Sequence, residues 1–244
     1  MSLLHSLRLT ALHFGLDVNR YTPINSDGSR LNALLEKQRI DLVLDIGAND
    51  GGFARLLREH RYNGRILSFE PLSDAYKKLL NNSCKDYNWK IYQQSALGEF
   101  NGEIEINIAA NSTSSSVLPM LHSHIESAPT SIYIGKEIVE IARLDSIKNP
   151  WIDQSQRIYL KIDTQGYEKS VLVGAKNTLN KINGIQIEMS LTPLYNDTPL
   201  FRELFDYLEN IGYEIYDLIP GFRDIKTGRL LQLDGIFIKK HSII

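Results

Sequence analysis

The chain has 244 residues, 43% hydrophobic and 23% charged, so it can bury a large core and lacks the composition of a disordered protein. Its formal net charge of −2 gives no general attraction to nucleic acid or to an anionic membrane. The single cysteine excludes an internal disulfide and a zinc site built from several cysteines.

The first predicted element is an amphipathic helix within an N-terminal helical segment, residues 1–35. The stretch from Leu3 to Leu16 is rich in leucine but is interrupted by two histidines, an arginine and a threonine. It lacks the unbroken apolar run of a signal peptide and is too short to span a bilayer. We therefore expect a cytoplasmic protein without an integral membrane segment, and the apolar face of this helix can pair two subunits into a homodimer.

Residues 36–244 are predicted to form one domain in which short apolar strands alternate with helices. This alternation favours βαβ units and a mainly parallel sheet. The predicted strands are 41–46, 65–69, 89–93, 157–162, 184–189, 213–219 and 231–239, and the predicted helices are 51–60, 73–81, 168–179 and 201–210. The expected fold class is a doubly wound, Rossmann-like α/β fold, with a mainly parallel seven-stranded sheet and helices on both faces.

An insertion at about residues 99–150 separates the third strand from the fourth. Its ends, 103–108 and 137–142, alternate apolar and polar residues as half-buried strands do. Its middle, 111–133, holds five hydroxyl residues in succession, two histidines and two prolines. That composition predicts a loop over the functional site.

The turn between the first strand and its helix carries a glycine-rich motif, DIGANDGG, over residues 45–52. Glycine is needed there because the backbone must turn tightly and let a ligand approach it closely. The following helix presents unpaired N–H groups and the positive end of its dipole, which suits an anionic group. We predict that Asp45, Gly47, Asn49 and Gly51 contact a bound cofactor; a purely structural turn is the alternative.

Glu70 closes the second strand and is followed by Pro71. In a right-handed βαβ unit the Glu70 carboxylate lies across the first loop, where it can accept both hydroxyls of a ribose. The alternative role of Glu70 is to cap the next helix. The loop, the helix N-terminus and the acidic residue together indicate an adenosine-containing ligand, with Glu70 and Pro71 in its site.

The sequence favours S-adenosylmethionine (SAM) over a nicotinamide dinucleotide as this ligand. Asn49 stands where the GxGxxG motif has its second glycine, and a pyrophosphate needs a bare backbone there. Asp45 would repel a diphosphate but can face the amino group or the sulfonium of SAM. A nicotinamide-dependent oxidoreductase on the same kind of sheet is the main alternative, and a module that binds SAM without turnover is the third.

Seven segments spread over nearly the whole chain resemble those of the FkbM family of SAM-dependent methyltransferases. They are VLDIGANDG (43–51), SFEPL (68–72), SALG (95–98), SSS (114–116), RLDS (143–146), LKIDTQGYE (160–168) and IEMS (187–190). The resemblance implies a class I methyltransferase sheet with a final antiparallel strand, in which Ser95 and Ala96 border the adenine. It also implies O-methylation of a sugar, glycan or polyketide hydroxyl, as in polysaccharide biosynthesis. Some members of the family have Glu where Gln165 stands.

Methyl transfer to a hydroxyl needs an aligned donor and acceptor and removal of the hydroxyl proton. Asp163 follows the fourth strand, and we predict that it contacts the donor and acts as the general base; alternatively, it caps the helix at Glu168. Glu188 ends the fifth strand at the same sheet edge and is the second catalytic candidate. His124 in the insertion is the third, because histidine titrates near pH 6.5, although loop histidines are more often solvated.

Three further expectations concern the same region. Asp163, Glu188 and a histidine could hold a hard cation that acidifies the hydroxyl, but their spacing is not a metal signature, and no metal site is predicted. Tyr195 either lines the acceptor pocket or packs in the core. Asp234, near the start of the last strand, is expected to be a turn residue.

Overall fold

The structure is a computed structural model that describes residues 3–18 and 20–240. The α-helices are α1 (Leu3–His13), α2 (Asp27–Lys37), α3 (Gly52–Glu59), α4 (Ser73–Ser83), α5 (His122–Ser127), α6 (Pro150–Gln154), α7 (Glu168–Gly174) and α8 (Phe201–Asn210). The strands are β1 (Leu42–Ile46), β2 (Arg65–Phe69), β3 (Trp89–Ile91), β4 (Ala96–Leu97), β5 (Gly102–Ala109), β6 (Tyr133–Ala142), β7 (Ile158–Ile162), β8 (Ile182–Ser190), β9 (Tyr213–Pro220) and β10 (Gln232–Lys239).

Seven strands form the main sheet, in the order β3-β2-β1-β7-β8-β10-β9. The five strands from β3 to β8 run parallel, and β10 runs antiparallel to both β8 and β9. Strand β1 is buried along its whole length, which explains its almost continuous apolar run. The predicted fold class, including the final antiparallel strand, is confirmed.

Helices cover both faces of this sheet. On one face of the sheet, Val43 of β1 packs with apolar residues from α2, α3 and α4. On the other face Leu42 and Leu44 pack with apolar residues from α7 and α8. The alternation of neighbouring β1 side chains between two cores is the geometry of a pleated strand.

The predicted insertion builds a second sheet of three strands, in the order β4-β6-β5. Strands β5 and β6 pair antiparallel, so the two half-buried ends of the insertion form one hairpin. Strand β3 ends earlier than predicted, and the chain then crosses over to form β4, which pairs parallel with β6. The segment between β5 and β6 is not a plain loop, because it contains the short helix α5.

The N-terminal region contributes one helix that packs on the main domain. Helix α2 begins after Ser26, whose side chain accepts the N–H of Ser29. Its Leu31, Leu34 and Leu35 are buried in the core beneath the sheet. The predicted limit at residue 35 therefore falls inside α2, and residues 1, 2, 19 and 241–244 of the two predicted segments lie outside the described residues.

Within the described part of the chain, no helix is long and apolar enough to cross a membrane.

Candidate functional site

A cavity of about 330 Å³ opens at the carboxyl edge of the main sheet. Its floor is formed by residues at the ends of β1, β2, β7 and β8, and its cover is formed by residues 111–117 of the insertion. Ligands of open α/β sheets bind at this edge. The predicted residues that line the cavity are Gly47, Asn49, Glu70, Pro71, Ser95, Ala96, His124, Asp163 and Glu188.

Gly47 brings the end of β1 against the end of β7. Its φ angle is +78°, and a Cβ atom there would lie 1.9 Å from the carbonyl oxygen of Asp163. The N–H of Asp163 in turn donates to the carbonyl of Ile46 at 3.0 Å. A side chain at position 47 would push these two strand ends apart, so glycine is required for the shape of the cavity.

Glu70 organises the glycine-rich turn through its carboxylate. Its Oε2 accepts the N–H of Asn49 at 2.8 Å, and its Oε1 accepts the N–H of Leu72 at 2.9 Å. Burial raises the pKa of Glu70 to about 7, although these two hydrogen bonds act in the opposite direction. Glu70 therefore holds the turn that leads into α4, and each oxygen still has acceptor capacity at the cavity wall.

Two residues predicted to contact the cofactor lie behind the wall instead. Asp45 is only 2% exposed, and its carboxylate accepts the hydroxyl of Ser68 at 3.0 Å, which accepts the indole N–H of Trp89. Burial raises the pKa of Asp45 to about 6. Gly51, with φ +88°, packs against the Trp89 ring. Neither Asp45 nor Gly51 is among the residues that line the cavity.

The wall next to Glu70 is mostly apolar. Ser95 and Ala96 are buried at the start of the second sheet, where they line the cavity. Phe69, Leu72 and Leu97 complete this wall. An apolar slot beside a carboxylate is suited to an aromatic ring joined to a sugar.

At the opposite end of the cavity, the Gln165 amide joins two carboxylates. Its Nε2 donates to Asp163 Oδ1 and to Glu188 Oε2, both at 2.8 Å. Tyr195 donates its hydroxyl to Gln165 Oε1 at 2.9 Å, which fixes the orientation of the amide. Gln165 has a left-handed backbone, φ +53°, an unusual conformation for a residue with a side chain.

Glu188 holds one oxygen in hydrogen bonds and leaves the other without a partner among the described residues. Its Oε2 also accepts the side-chain N–H of Gln232 at 2.8 Å. Removal from water, together with the nearby carboxylates Asp163 and Glu168, raises the pKa of Glu188 well above its usual range. Its Oε1 remains available to a ligand in the cavity.

Asp163 does not cap the helix that follows it. The N–H groups of Thr164 and Gly166 go to Glu168 Oε1, at 2.9 and 3.1 Å. Asp163 Oδ2 instead lies 3.4 Å from the ammonium of Lys161. About a third of the Asp163 side chain is exposed, so its carboxylate is accessible from the cavity.

The structure corrects the expectation for Asp234. It lies inside β10 rather than in a turn, and its carboxylate binds Lys161 Nζ at 3.1 Å. The sequence reasoning missed Lys161, Gln165 and Gln232 as parts of the site. The period-two pattern of the strands places Lys161 and Asp163 on one face, but the contact between β7 and β10 requires the strand order.

His124 is buried in the cavity wall on α5. Its Nδ1 has no hydrogen-bond partner among the described residues. The centroid of its ring lies 5.1 Å from that of Tyr195, in an edge-on contact, and 5.4 Å from that of Phe222. Burial lowers the pKa of His124 to about 4, so the ring is neutral at physiological pH. His122, on the same helix, is instead exposed and lies 3.3 Å from Glu126. Tyr195 is completely buried behind Gln165.

The cover of the cavity is attached at both ends. Ser112 exchanges hydrogen bonds with the amide of Asn49 at 3.1 and 3.2 Å, next to the glycine-rich turn. Ser116 donates its hydroxyl to the carbonyl of Gln165 at 2.6 Å. The serine-rich segment thus spans the cavity from β1 to β7. No group of three His, Cys, Asp or Glu residues in the described part of the chain could hold a metal ion.

Comparison with known proteins identifies a family with this fold. Residues 45–215 match the family described as the methyltransferase FkbM domain. The chain is 26% identical over 238 residues to the 2-O-methyltransferase NoeI of Sinorhizobium fredii, covering 94% of each chain. It is 26% identical over 203 residues to the hexuronic acid methyltransferase AglP of Haloferax volcanii, covering 77% of this chain and 75% of AglP.

A solved structure, TehB from Haemophilus influenzae, superposes with a TM-score of 0.48 and 13% identity. The superposition covers 88% of this chain and 62% of TehB. At this level of likeness no conclusion about the chain rests on it.

The chain is a methyltransferase that uses SAM as its methyl donor, and the nicotinamide-dependent alternative is not favoured. The chain belongs to the FkbM methyltransferase family, whose domain matches well over half of its length.

Proposed function

We propose that the protein transfers a methyl group from SAM to a hydroxyl of a sugar or glycan. The names of two relatives, a 2-O-methyltransferase and a hexuronic acid methyltransferase, support an O-linked sugar acceptor. The observation that carries the proposal is the single cavity that joins Glu70 at one end to Asp163 and Glu188 at the other. A polyketide hydroxyl is the remaining acceptor within the same chemistry.

The residues of the cavity fit the donor. A volume of about 330 Å³ is within the range of small-molecule sites. Glu70 retains acceptor capacity for ribose hydroxyls, and the apolar wall at Ala96 suits an adenine ring. Gly47, Asn49, Pro71 and Ser95 complete this end in the proposal, whereas Asp45 and Gly51 shape the turn from behind.

Asp163 is the proposed general base. SAM supplies a methyl group on a sulfonium; the C–S bond breaks as a C–O bond forms, and S-adenosylhomocysteine leaves. Asp163 accepts the hydroxyl proton, and its carboxylate also favours a cationic donor. Glu188, held by Gln165 and Gln232 through one oxygen, hydrogen-bonds the acceptor through the other and orients it. His124 is neutral and serves as a hydrogen-bonding group of the acceptor wall beside Phe222.

Two further parts of the proposal concern the protein as a whole. We propose that it acts in the cytoplasm, which suits its exposed free thiol, Cys84. We also propose that α1 pairs two subunits, since Leu7, Leu9 and Leu12 are about half exposed on it. Sedimentation of the full chain beside a Leu9→Glu/Leu12→Glu variant tests the pairing, which predicts that the variant alone is monomeric.

The test of function is an acceptor screen with radiolabelled SAM across free sugars, glycolipids and polyketides. The Asp163→Asn variant, run in parallel, separates enzymatic transfer from background. Label in a sugar-containing acceptor, lost in the variant, is the expected result. Label only in polyketides would reject the sugar acceptor. Donor binding without transfer to any acceptor would instead favour a module that binds SAM without turnover.

A further inference from the structure

Lys161 is a buried cation that reaches the site without lining the cavity. It is only 5% exposed, and its ammonium lies over the Phe53 ring, 6.0 Å from the centroid. Its Nζ contacts Asp234 Oδ1 at 3.1 Å, Asp234 Oδ2 at 3.4 Å and Asp163 Oδ2 at 3.4 Å. A buried ammonium persists only when it is paired, so these carboxylates and Lys161 stabilise one another.

A polar chain across three strands holds Lys161 in place. Tyr159 on β7 donates its hydroxyl to Gln186 Oε1 on β8 at 3.2 Å. Gln186 donates its amide to Asp234 Oδ2 on β10 at 2.7 Å, and Asp234 then binds Lys161. Each link joins two strands of the main sheet, so the chain ties the ammonium of Lys161 to a fixed place beside Asp163.

The charges around Lys161 are otherwise negative. Besides Asp163 and Asp234, Asp45 on β1, Glu188 on β8 and Glu168 on α7 act on this cluster. Burial acts to lower the pKa of Lys161, but Asp234, Asp163 and Glu188 together outweigh it and raise the pKa above its usual range. The cluster therefore keeps its proton on the lysine and one unit of positive charge beside the proposed base.

We propose that Lys161, held by Asp234, is a positioning residue that fixes the direction of the Asp163 carboxylate and places a positive charge beside it. The proposal rests on Asp163 being the general base. Lys161 itself touches neither substrate nor donor: it acts through Asp163. In this arrangement Asp234 weakens the effect of Lys161 on Asp163, because the ammonium pairs with both carboxylates.

The test is the pH dependence of kcat/KM for Lys161→Met and Asp234→Asn, measured with thermal unfolding of each variant. Lys161→Met removes the cation beside the base, so the protonated base is favoured and the acid limb moves to higher pH. The shift is about one to three pH units for charges at this separation. Asp234→Asn frees the lysine to act on Asp163, so the acid limb moves to lower pH by a smaller amount.

Shifts of opposite sign support the proposal, because both variants break the same ion pair. If that pair were merely structural, both variants would lose stability and neither acid limb would move. Unchanged acid limbs beside an inactive Asp163→Asn would overturn this inference and leave the proposed function intact. Normal turnover in Asp163→Asn would overturn both. If Lys161→Met does not fold, the direction of the Asp234→Asn shift decides alone: lower pH supports the proposal, and no shift rejects it.

Discussion

The two ends of the cavity differ in how they are built. The donor end, where the proposal places SAM, is made by two neighbouring turns, residues 46–49 and 69–72. One carboxylate, Glu70, joins the two turns by accepting their backbone N–H groups. The acceptor end is made by side chains from β7, β8, β10 and the insertion, joined through Gln165 and Lys161. Its polar groups are side chains that pair with one another, whereas those of the donor end are mainly backbone.

This difference separates binding from chemistry. A site made of backbone and one carboxylate gives affinity for a ligand common to many enzymes, and few side chains can change it. A site made of paired side chains can set protonation states, because each charge depends on its neighbours. We therefore expect substitutions at the donor end to change donor affinity and substitutions at the acceptor end to change turnover.

The largest effect is expected for Asp163→Asn. The amide keeps the shape of the carboxylate but cannot accept the hydroxyl proton, and removal of a general base costs about 10²–10⁴ in rate. Turnover and donor titration on the same variant measure the effect. The matched control is Asp145→Asn, since Asp145 accepts the N–H groups of Asn177 and Thr178 away from the cavity. This control should lower stability and preserve turnover; a variant Asp163→Asn within about threefold of the parent would remove it from the base role.

The next largest effect is expected for Glu70→Ala. Two charge-assisted hydrogen bonds to a ribose, each worth about 1.5–3 kcal/mol, would be lost, so donor affinity should fall by roughly a hundredfold or more. Calorimetric titration with S-adenosylhomocysteine measures it. Glu137→Ala is the control, because Glu137 accepts the N–H of Ser73 on the same helix without lining the cavity. Equal loss of affinity in both variants would mean that Glu70 only stabilises the turn before α4.

Donor binding itself should stabilise the fold. At a ligand concentration of about 100 times Kd, the free energy of unfolding rises by roughly 2.7 kcal/mol. For a chain of this size the melting temperature rises by about 5–11 °C. Thermal melts with SAM, with S-adenosylhomocysteine and with NAD measure the shift. A larger shift with NAD than with SAM would contradict the donor end described above.

The smallest effect concerns His124 and pH. Its folded pKa of about 4 is below the unfolded value near 6.5, so the unfolded state binds the proton first as pH falls. Stability is therefore lost between about pH 6.5 and 4, by at most about 2–3 kcal/mol. His124→Phe should lose less stability than the parent over that window in urea unfolding. His122→Phe controls for a change in α5, and parallel curves for the parent and His124→Phe would show that His124 is not buried as neutral imidazole.

Regular periodicity predicted most of the main sheet. Strand β2 and helix α8 begin and end where the apolar pattern placed them. The helix expected over 168–179 is shorter, because α7 ends at Gly174 and a carboxylate from Asp145 captures the N–H groups of Asn177 and Thr178. That contact spans about thirty residues, so no local pattern could indicate it.

The donor end was easier to predict than the acceptor end for the same reason. The glycine-rich turn and the acidic residue at the end of β2 are short local motifs, so the sequence alone predicted both the turn and Glu70. Lys161 and Asp234 lie 73 residues apart and meet only because their strands, β7 and β10, lie on either side of β8 in the sheet. Asp45 is the first residue of the glycine-rich motif, but its side chain points into the core. Side chains alternate between the two faces of β1, and Asp45 lies on the face of Ser68.

Single-turnover methyl transfer at saturating donor tests the division between the two ends most directly. Asp163→Asn and Glu70→Ala are compared with the parent, and the donor Kd is measured for each. The account predicts that Asp163→Asn binds the donor within about threefold of the parent yet transfers at least about a hundredfold more slowly. It predicts that Glu70→Ala, once saturated, transfers within about tenfold of the parent. Transfer at the parental rate by Asp163→Asn, or equal loss of donor binding in both variants, would contradict it.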